Sequence, residues 1–162
     1  MRDWDGKATA PVEVAYDSYS SEPGFVDELI AMSREPALQT GATWLLKRHV
    51  ETTGRLGAKA ELALWRAVGC LETWPAKLHV LQCVPHLPIP DAALAEVGDF
   101  VTSNLDAEKA FVRAWAYGAL YVLAKLEPAR FEEEARRRFE RARKSEAASV
   151  RARLRKLGVA GF

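Results

Sequence analysis

The chain has 162 residues, of which 49% are hydrophobic and 28% charged, and its formal net charge is +1. This length is sufficient for one domain with a hydrophobic core, and the near-neutral charge gives no overall signal for a polyanionic partner. The apolar runs are too short to span a bilayer, the first ten residues lack the apolar segment of a secretory signal, and the two cysteines lack the spacing of a disulfide framework. We therefore expect a reduced, cytoplasmic protein without a membrane span.

Residues 1–20 are polar, with scattered aromatic residues and no sustained periodicity. We expect them to form a loosely ordered N-terminal arm, followed by a helical-repeat domain over residues 21–162. The arm side chains expected to pack onto that domain are Trp4, Val12, Val14 and Tyr16.

Proline and helix-capping residues divide the rest of the chain into helices. Proline suits the first turn of a helix, and Ser, Thr and Asp suit the position before it. No segment alternates apolar and polar residues as a strand would, so we predict an all-α fold. The predicted helices cover about residues 23–34, 36–52, 57–71, 75–86, 91–104, 107–126, 128–143 and 146–157.

The predicted helices form pairs, and the pairs recur at intervals of about 32 to 39 residues, which is typical of a solenoid. When the second helices are aligned, small or aliphatic residues occupy three positions spaced by four, as expected of a stripe facing a neighbouring layer. The first position holds Ala37, Ala76, Val112 and Val150, the second Gly41, Val80, Ala116 and Leu154, and the third Leu45, Val84 and Leu120.

Two segments of these second helices resemble the HEAT-repeat family: "FVRAWAYGAL" at 111–120 and "SVRARLRKLG" at 149–158. Lys77, Arg113 and Arg151 occupy the basic position of the family, Asp106 occupies the acidic one, and Leu38 departs from the pattern. The resemblance covers about residues 23–158. It implies a short right-handed α-solenoid of about four antiparallel helix pairs, HEAT- or armadillo-like, and an unrelated helical bundle stays open as the alternative.

The helix over 107–126 is apolar around nearly its whole circumference and must therefore be covered on more than one side. A helical wheel divides it into two arcs. The arc expected to face the core holds Phe111, Val112, Trp115, Ala116, Ala119, Leu120, Val122 and Leu123. The opposite arc, expected to meet another layer or a partner, holds Ala110, Ala114, Tyr117, Gly118, Tyr121 and Lys125.

The last helix pair is charged outside a narrow apolar stripe formed by Phe131, Ala135, Phe139 and Ala142, which suits a C-terminal cap. Its basic residues permit two interpretations: an anion-binding surface, or a solvated face with i,i+4 ion pairs. The absence of interleaved aromatic residues favours the second. The candidate anion-binding residues are Arg136, Arg137, Arg138, Arg151 and Arg155, and the expected pairs are Glu132–Arg136, Glu133–Arg137 and Glu134–Arg138.

Motifs for catalysis are missing from the sequence: it has no glycine-rich phosphate loop and no nucleophile elbow. His79, Cys83 and His86 have i, i+4, i+7 spacing, but no second ligand pair accompanies them and Pro85 interrupts the helix. We therefore expect these three residues to be structural, and we predict no metal, cofactor or catalytic residue.

The HEAT resemblance implies that second helices line a concave groove. Its expected lining residues are Trp44, Lys47, Arg48, Lys77, Gln82, Arg113, Tyr117 and Tyr121. Exposed aromatic residues with arginine are typical of binding hot spots, so our first hypothesis is a non-enzymatic scaffold for a protein or peptide. In the competing interpretation the aromatic residues pack between layers, and the basic residues bind loop carbonyls and Asp106.

Two further expectations concern the partner and the assembly. The alternative function is nucleic-acid binding by a HEAT-like protein, including a DNA-glycosylase-like version, through the basic residues of the second helices and the C-terminal region. An array of four layers has two end faces, so we expect a monomer or a weak homo-oligomer.

Overall fold

The computed structural model describes residues 8–158, and within this range the chain forms nine α-helices, two short 3-10 helices and no strand. The all-α prediction is confirmed, and each of the predicted helices has a counterpart. The α-helices are α1 (Ala10–Tyr19), α2 (Phe25–Met32), α3 (Gln39–Thr53), α4 (Ala58–Ala67), α5 (Trp74–Cys83), α6 (Leu94–Asn104), α7 (Ala110–Leu126), α8 (Pro128–Ser145) and α9 (Ala148–Lys156). The 3-10 helices are Val68–Cys70 and Asp91–Ala93. None of the described helices combines the length and the apolar composition that a membrane crossing requires.

Helix α1 is the main departure from the prediction, because the sequence indicated no regular element before residue 21. Its buried side is only Val12 and Tyr16, one turn apart and 2% and 7% exposed, as expected for packing residues. Val14 was expected to pack as well, but it is 66% exposed. Two buried residues in a ten-residue helix give too short a stripe for the helical period to be recognised. The predicted contact of Trp4 lies outside the described residues.

Helices α2 and α3 begin two or three residues after the prolines that were expected to start them. Gly24 precedes α2 with a left-handed backbone, φ 83°, which a helix cannot include, so α2 begins at Phe25. Helix α5 ends at Cys83, whose carbonyl oxygen accepts hydrogen bonds from the amides of both His86 and Leu87. That turn keeps His86 off the helix on which the sequence had placed it.

The chain divides into two compact units, Met1–Val97 and Gly98–Phe162, with the boundary inside α6. In the first unit, α2 packs against α3 and α4, and α3 also packs against α1 and α5. The side chain of Trp65 is fully buried, and its indole nitrogen donates a hydrogen bond to the Pro88 carbonyl oxygen at 2.8 Å. This bond ties the proline-rich segment after α5 to the core. The largest other buried side chains of this unit are Leu46, Leu64, Val68, Val80, Leu81 and Val84.

In the second unit, α7 packs against both α8 and α9, and α8 and α9 contact each other. The predicted stripe on α8 is confirmed, because Phe131, Ala135, Phe139 and Ala142 are all buried.

The aligned positions of the second helices, which lie in both units, are also buried, with one exception. Ala37 is exposed because it precedes α3 instead of lying in it.

Gln39, at the start of α3, is a fully buried polar residue that anchors the segment preceding α5. Its side-chain nitrogen donates to the Cys70 carbonyl oxygen at 2.7 Å, and its side-chain oxygen accepts from the amides of Glu72 and Thr73 at 2.9 and 3.2 Å. Leu38, where the HEAT family has a basic residue, cannot make such bonds. The adjacent glutamine anchors the loop instead.

We expect Gln39→Ala to destabilise the protein by about 3 kcal/mol, because it removes three hydrogen bonds to the backbone and leaves a cavity at a fully buried position. Urea unfolding followed by circular dichroism measures the change. Gln82→Ala is the matched control, since Gln82 is only partly buried on α5 and bonds to none of the described residues through its side chain. Equal effects of the two substitutions would refute the anchoring role of Gln39.

Candidate partner-binding site

The structure brings two of the predicted binding residues together on α3. Trp44 is half-buried, and the Lys47 ammonium lies 6.0 Å from the centroid of its ring. Lys47 also donates to the Glu51 carboxylate at 3.0 Å, one turn further along the helix. An aromatic ring and a cation are therefore adjacent, although the charge of that cation is already paired.

Arg48 and Lys77 do not join that pair. Arg48 is exposed, and its guanidinium carbon lies 5.9 Å from the ring centroid of Tyr16, so it contacts α1. Lys77 and Gln82 lie partly buried on α5. Among the described residues, Lys77 has no ion-pair partner.

His79 and Cys83 make local polar contacts inside the first unit. The Thr43 hydroxyl donates to the Gln39 carbonyl oxygen at 2.7 Å, so at 3.1 Å it accepts from the Nδ1–H of His79. The Cys83 thiol donates to the His79 carbonyl oxygen at 3.3 Å. Over residues 8–158, no three His, Cys, Asp or Glu side chains are grouped closely enough to hold a metal ion.

Burial determines the protonation of both groups. Burial, assisted by the positive charge of Lys47, lowers the pKa of His79 to about 4, and burial raises the pKa of the Cys83 thiol to about 12. At neutral pH the imidazole is therefore uncharged and the thiol is protonated. A protonated, 1% exposed thiol is suited to packing and not to nucleophilic attack.

In the second unit, Arg113 is engaged within the fold. Its Nη1 donates to the carbonyl oxygens of Ala107 and Glu108 at 2.8 and 3.0 Å, and its Nε donates to the Glu146 carboxylate at 3.1 Å. These bonds tie both the segment before α7 and the segment before α9 to one guanidinium. The expected bonds to loop carbonyls are present, but the expected contact with Asp106 is wrong.

Asp106 instead binds Arg138 of α8, whose Nη1 donates to both carboxylate oxygens at 2.9 Å. Arg138 also donates to Glu134 at 2.9 Å, and these bonds lower the pKa of the Glu134 carboxyl and raise the pKa of Arg138. The predicted pairs Glu132–Arg136 and Glu134–Arg138 are confirmed. Arg137, however, pairs with Glu134 and not with Glu133.

The tyrosines predicted to line a groove have different surroundings. Tyr117 is 2% exposed, and its ring centroid lies 6.1 Å from that of Phe139, so it offers no surface to a partner. Burial, together with the charge of Glu146, raises the pKa of its hydroxyl. Tyr121 is half-buried, with the Lys125 ammonium 5.6 Å from its ring centroid.

An apolar strip on α7 reaches the surface, although the helical wheel placed three of its four residues on the arc expected to face the core. Phe111 is 65% exposed and Leu126 is 48% exposed. Trp115 and Val122 are half-buried, and the spacing of the four residues places them on one side of the helix. The wheel placed Phe111, Trp115 and Val122 on the arc expected to face the core. The other five residues of that arc are buried as expected, and the expectation is wrong for Phe111.

Arg153 of α9 lies against this strip. Its guanidinium carbon is 3.6 Å from the centroid of the Trp115 ring, and its Nε is buried without a hydrogen-bond partner among the described residues. Burial lowers the pKa of Arg153, although a guanidinium stays protonated at neutral pH. We name the set Phe111, Trp115, Val122, Leu126 and Arg153 the α7–α9 surface.

One feature of the sequence could have indicated the α7–α9 surface. Neither α7 nor α9 contains an Asp or Glu residue, so an arginine between them has no acidic partner on either helix. Of the predicted anion-binding residues on α9, Arg151 and Arg155 are exposed and form no ion pair with a described residue.

We expect Arg113→Ala to lower stability by about 2 kcal/mol, because it removes the donor of two loop carbonyls and the ion pair of the Glu146 carboxylate, which keeps only the Ala147 amide. Thermal and urea unfolding measure this loss. Arg151→Ala removes the same charge from an exposed position and should change stability by no more than about 0.5 kcal/mol. If Arg113→Ala left stability unaltered, the bonds of Arg113 would not hold the loops.

Acid should destabilise the first unit through His79. Its pKa is about 4 in the folded chain and about 6.5 when unfolded, so its contribution to stability is complete above pH 6.5 and is lost as the pH falls towards 4. We expect a loss of about 2 kcal/mol between pH 7 and pH 5. His79→Asn keeps an N–H near Thr43 but does not titrate in this range, and its unfolding free energy should fall less over that interval. Parallel pH dependences in the two proteins would exclude this role.

Comparisons with known proteins produced no match: none was found among family models, curated proteins or solved structures. The resemblance to HEAT repeats therefore depends on the sequence segments around Arg113 and Arg151 and stays a prediction.

Proposed function

We propose that this chain is a HEAT-like α-solenoid of about four helix pairs that binds a protein or peptide and performs no chemistry on it. Recurrent packing within each unit supports the repeat architecture: α3 lies on α5 in the first, and α7 lies on α9 in the second. The two polar anchors give further support. Gln39 and Arg113, both in the first turns of a second helix, hold the segment that leads into the next second helix.

The observation that carries the binding proposal is the α7–α9 surface. Phe111 is 65% exposed beside Trp115, whose ring is covered by an arginine without an acidic partner in the described part of the chain. Aromatic residues and arginine are the commonest hot-spot residues, and burying one large apolar side chain contributes about 1.5–3 kcal/mol. Partner binding at this surface would remove Phe111 and Leu126 from water.

The residues proposed from the sequence divide into two groups under this proposal. Arg113 and Tyr117 support the fold, since one anchors loops and the other is buried. Trp44 and Lys47 offer a second aromatic–cation pair in the first unit. They remain proposed contact residues, together with Arg48, Lys77 and Tyr121.

Nucleic-acid binding is the second candidate function, and the composition of α9 favours it. The helix carries four basic residues and no acidic one. Against it, the guanidinium groups of Arg136, Arg137 and Arg138 are already paired with Glu132, Glu134 and Asp106. A glycosylase-like version would additionally need a carboxylate free to act as a base beside those cations.

We also propose a cytoplasmic location and a monomeric or weakly self-associating state. Cys70 and Cys83 are free thiols, which suits a reducing compartment. Light scattering over a range of protein concentrations measures the association.

Selection from a displayed library of random peptides tests the protein-binding function. We expect the wild type to enrich a peptide family, and we expect Phe111→Ala to weaken binding of the selected peptides about tenfold or more while leaving stability unchanged, because Phe111 is mostly exposed. Fluorescence anisotropy measures the affinity. Tyr19→Ala, which removes an aromatic residue of similar exposure (61%) from α1, is the control. Equal loss in both variants, or no enrichment, would count against the proposal.

Heparin chromatography of the same protein preparations distinguishes nucleic-acid binding from protein binding. A protein that binds through phosphates elutes from heparin at a salt concentration that falls when its basic residues are replaced. Because Arg136, Arg137 and Arg138 are ion-paired, we expect their joint replacement by Gln, which introduces no new carboxylate, to change retention little. Strong retention of the wild type that this triple variant abolishes would favour nucleic acid.

A further inference from the structure

Arg153 differs from Arg113, Arg136, Arg137 and Arg138, which are held by ion pairs. Its guanidinium carbon lies 3.6 Å from the centroid of the Trp115 ring, and the group also packs against α7 at Gly118, where an added Cβ would come within 3.0 Å of Nε and 3.1 Å of Nη2. The missing side chain at Gly118 is therefore what admits the guanidinium. The group is held in one place by packing, without a hydrogen bond or ion pair to any described residue.

A guanidinium in this state has unused capacity for an anion. Its Nε is enclosed, its Nη atoms make no hydrogen bond to a described residue, and arginine favours planar, bidentate contact with carboxylates. Partial removal from water disfavours a charge that has no partner, so an arriving carboxylate recovers electrostatic stabilisation that the isolated protein lacks. Because Trp115 already orients the group, little side-chain entropy is lost when the carboxylate binds.

The surroundings of Arg153 define the rest of the ligand. Phe111 and Leu126 lie about 22 Å apart along α7, a distance that a helix of about four turns can follow. The charged residues within α7 and α9 are all basic, whereas Glu108 and Glu127 flank the two ends of α7. Charge complementarity to Arg153 and its neighbours on α9 therefore favours an acidic ligand, and the exposed apolar strip favours an apolar face.

We infer that the α7–α9 surface binds an acidic amphipathic helix, with a carboxylate of that helix on Arg153 and its apolar face on Phe111 and Leu126. This inference depends on the proposed protein-binding function and identifies the class of partner. Nucleic acid fits the surface less well, because the ring face of Trp115 on which a base would stack is occupied by Arg153.

A pair of synthetic peptides provides the probe: a 15-residue amphipathic helix with a Leu/Phe face and flanking Glu residues, and the same peptide with every Glu replaced by Gln. Fluorescence anisotropy at low salt measures both affinities. We expect the wild type to bind the Glu peptide at least about tenfold more tightly. Arg153→Gln should bind the two peptides about equally, whereas Arg151→Gln, which removes the same charge from the same helix, should keep most of the preference.

Gly118→Ala is a second variant that tests the inference, and it leaves every charge in place. The added methyl group would force the Arg153 guanidinium to shift by a few tenths of an ångström, while alanine favours the helix more than glycine does. We expect the preference for the Glu peptide to fall severalfold with no decrease in melting temperature, and we expect the fluorescence of Trp115 to change. This variant tests the inference even if Arg153→Gln does not fold.

The outcomes separate the inference from the proposed function. Equal binding of both peptides by the wild type overturns the acidic preference, although a display-selected peptide lost in Phe111→Ala would still support protein binding. If the wild type binds neither peptide, the inference is wrong. If the display selection also enriches no peptide, the proposed function is wrong as well. Displacement of the Glu peptide by a single-stranded oligonucleotide at equal concentration would favour nucleic acid instead.

Discussion

Helix α7 has to pack against two helices at once, and much of the second unit depends on how it does so. Close approach of both α8 and α9 requires small side chains on α7, and Ala114, Ala116, Gly118 and Ala119 supply them. Val112, Leu120 and Leu123 fill the space that remains. These neighbours leave one side of the helix uncovered, and on that side the large residues Phe111 and Leu126 remain exposed.

Much of the helix content could be predicted from the sequence, because proline positions and a period of 3.6 residues are local signals. The surroundings of each helix face could not. A wheel of α7 gives the correct phase between Phe111 and Trp115, but it contains no information on which arc α8 and α9 will cover. For that reason the wheel left Tyr117 open between packing against another layer and contact with a partner, and it is buried, while Phe111 was expected in the core and is exposed. Helix α1 was not predicted, because its buried stripe consists of only Val12 and Tyr16.

Charge pairs show the same division between local and distant information. Pairs one helical turn apart, such as Glu132–Arg136, follow from spacing alone. Arg113–Glu146 and Arg138–Asp106 join residues more than thirty positions apart, where several basic side chains compete for few carboxylates. Composition cannot rank these competitors, since the outcome depends on which helix end lies beside which loop. The candidate site therefore lies at Arg153, whose Nε is buried without a hydrogen-bond partner among the described residues, and not at Arg113, which anchors loops.

The position of Arg153 has a consequence for selectivity that a fully solvated arginine would lack. An exposed guanidinium such as that of Arg151 is well hydrated, so exchanging water for a carboxylate changes its free energy little. Arg153 has its Nε enclosed and its plane fixed by Trp115, so water can satisfy only part of it. Replacing glutamate by glutamine in a ligand should therefore weaken its binding at Arg153 and hardly change its binding at Arg151. The aromatic ring thus does more than add apolar area, because it orients and partly dehydrates the cation that would discriminate between ligands.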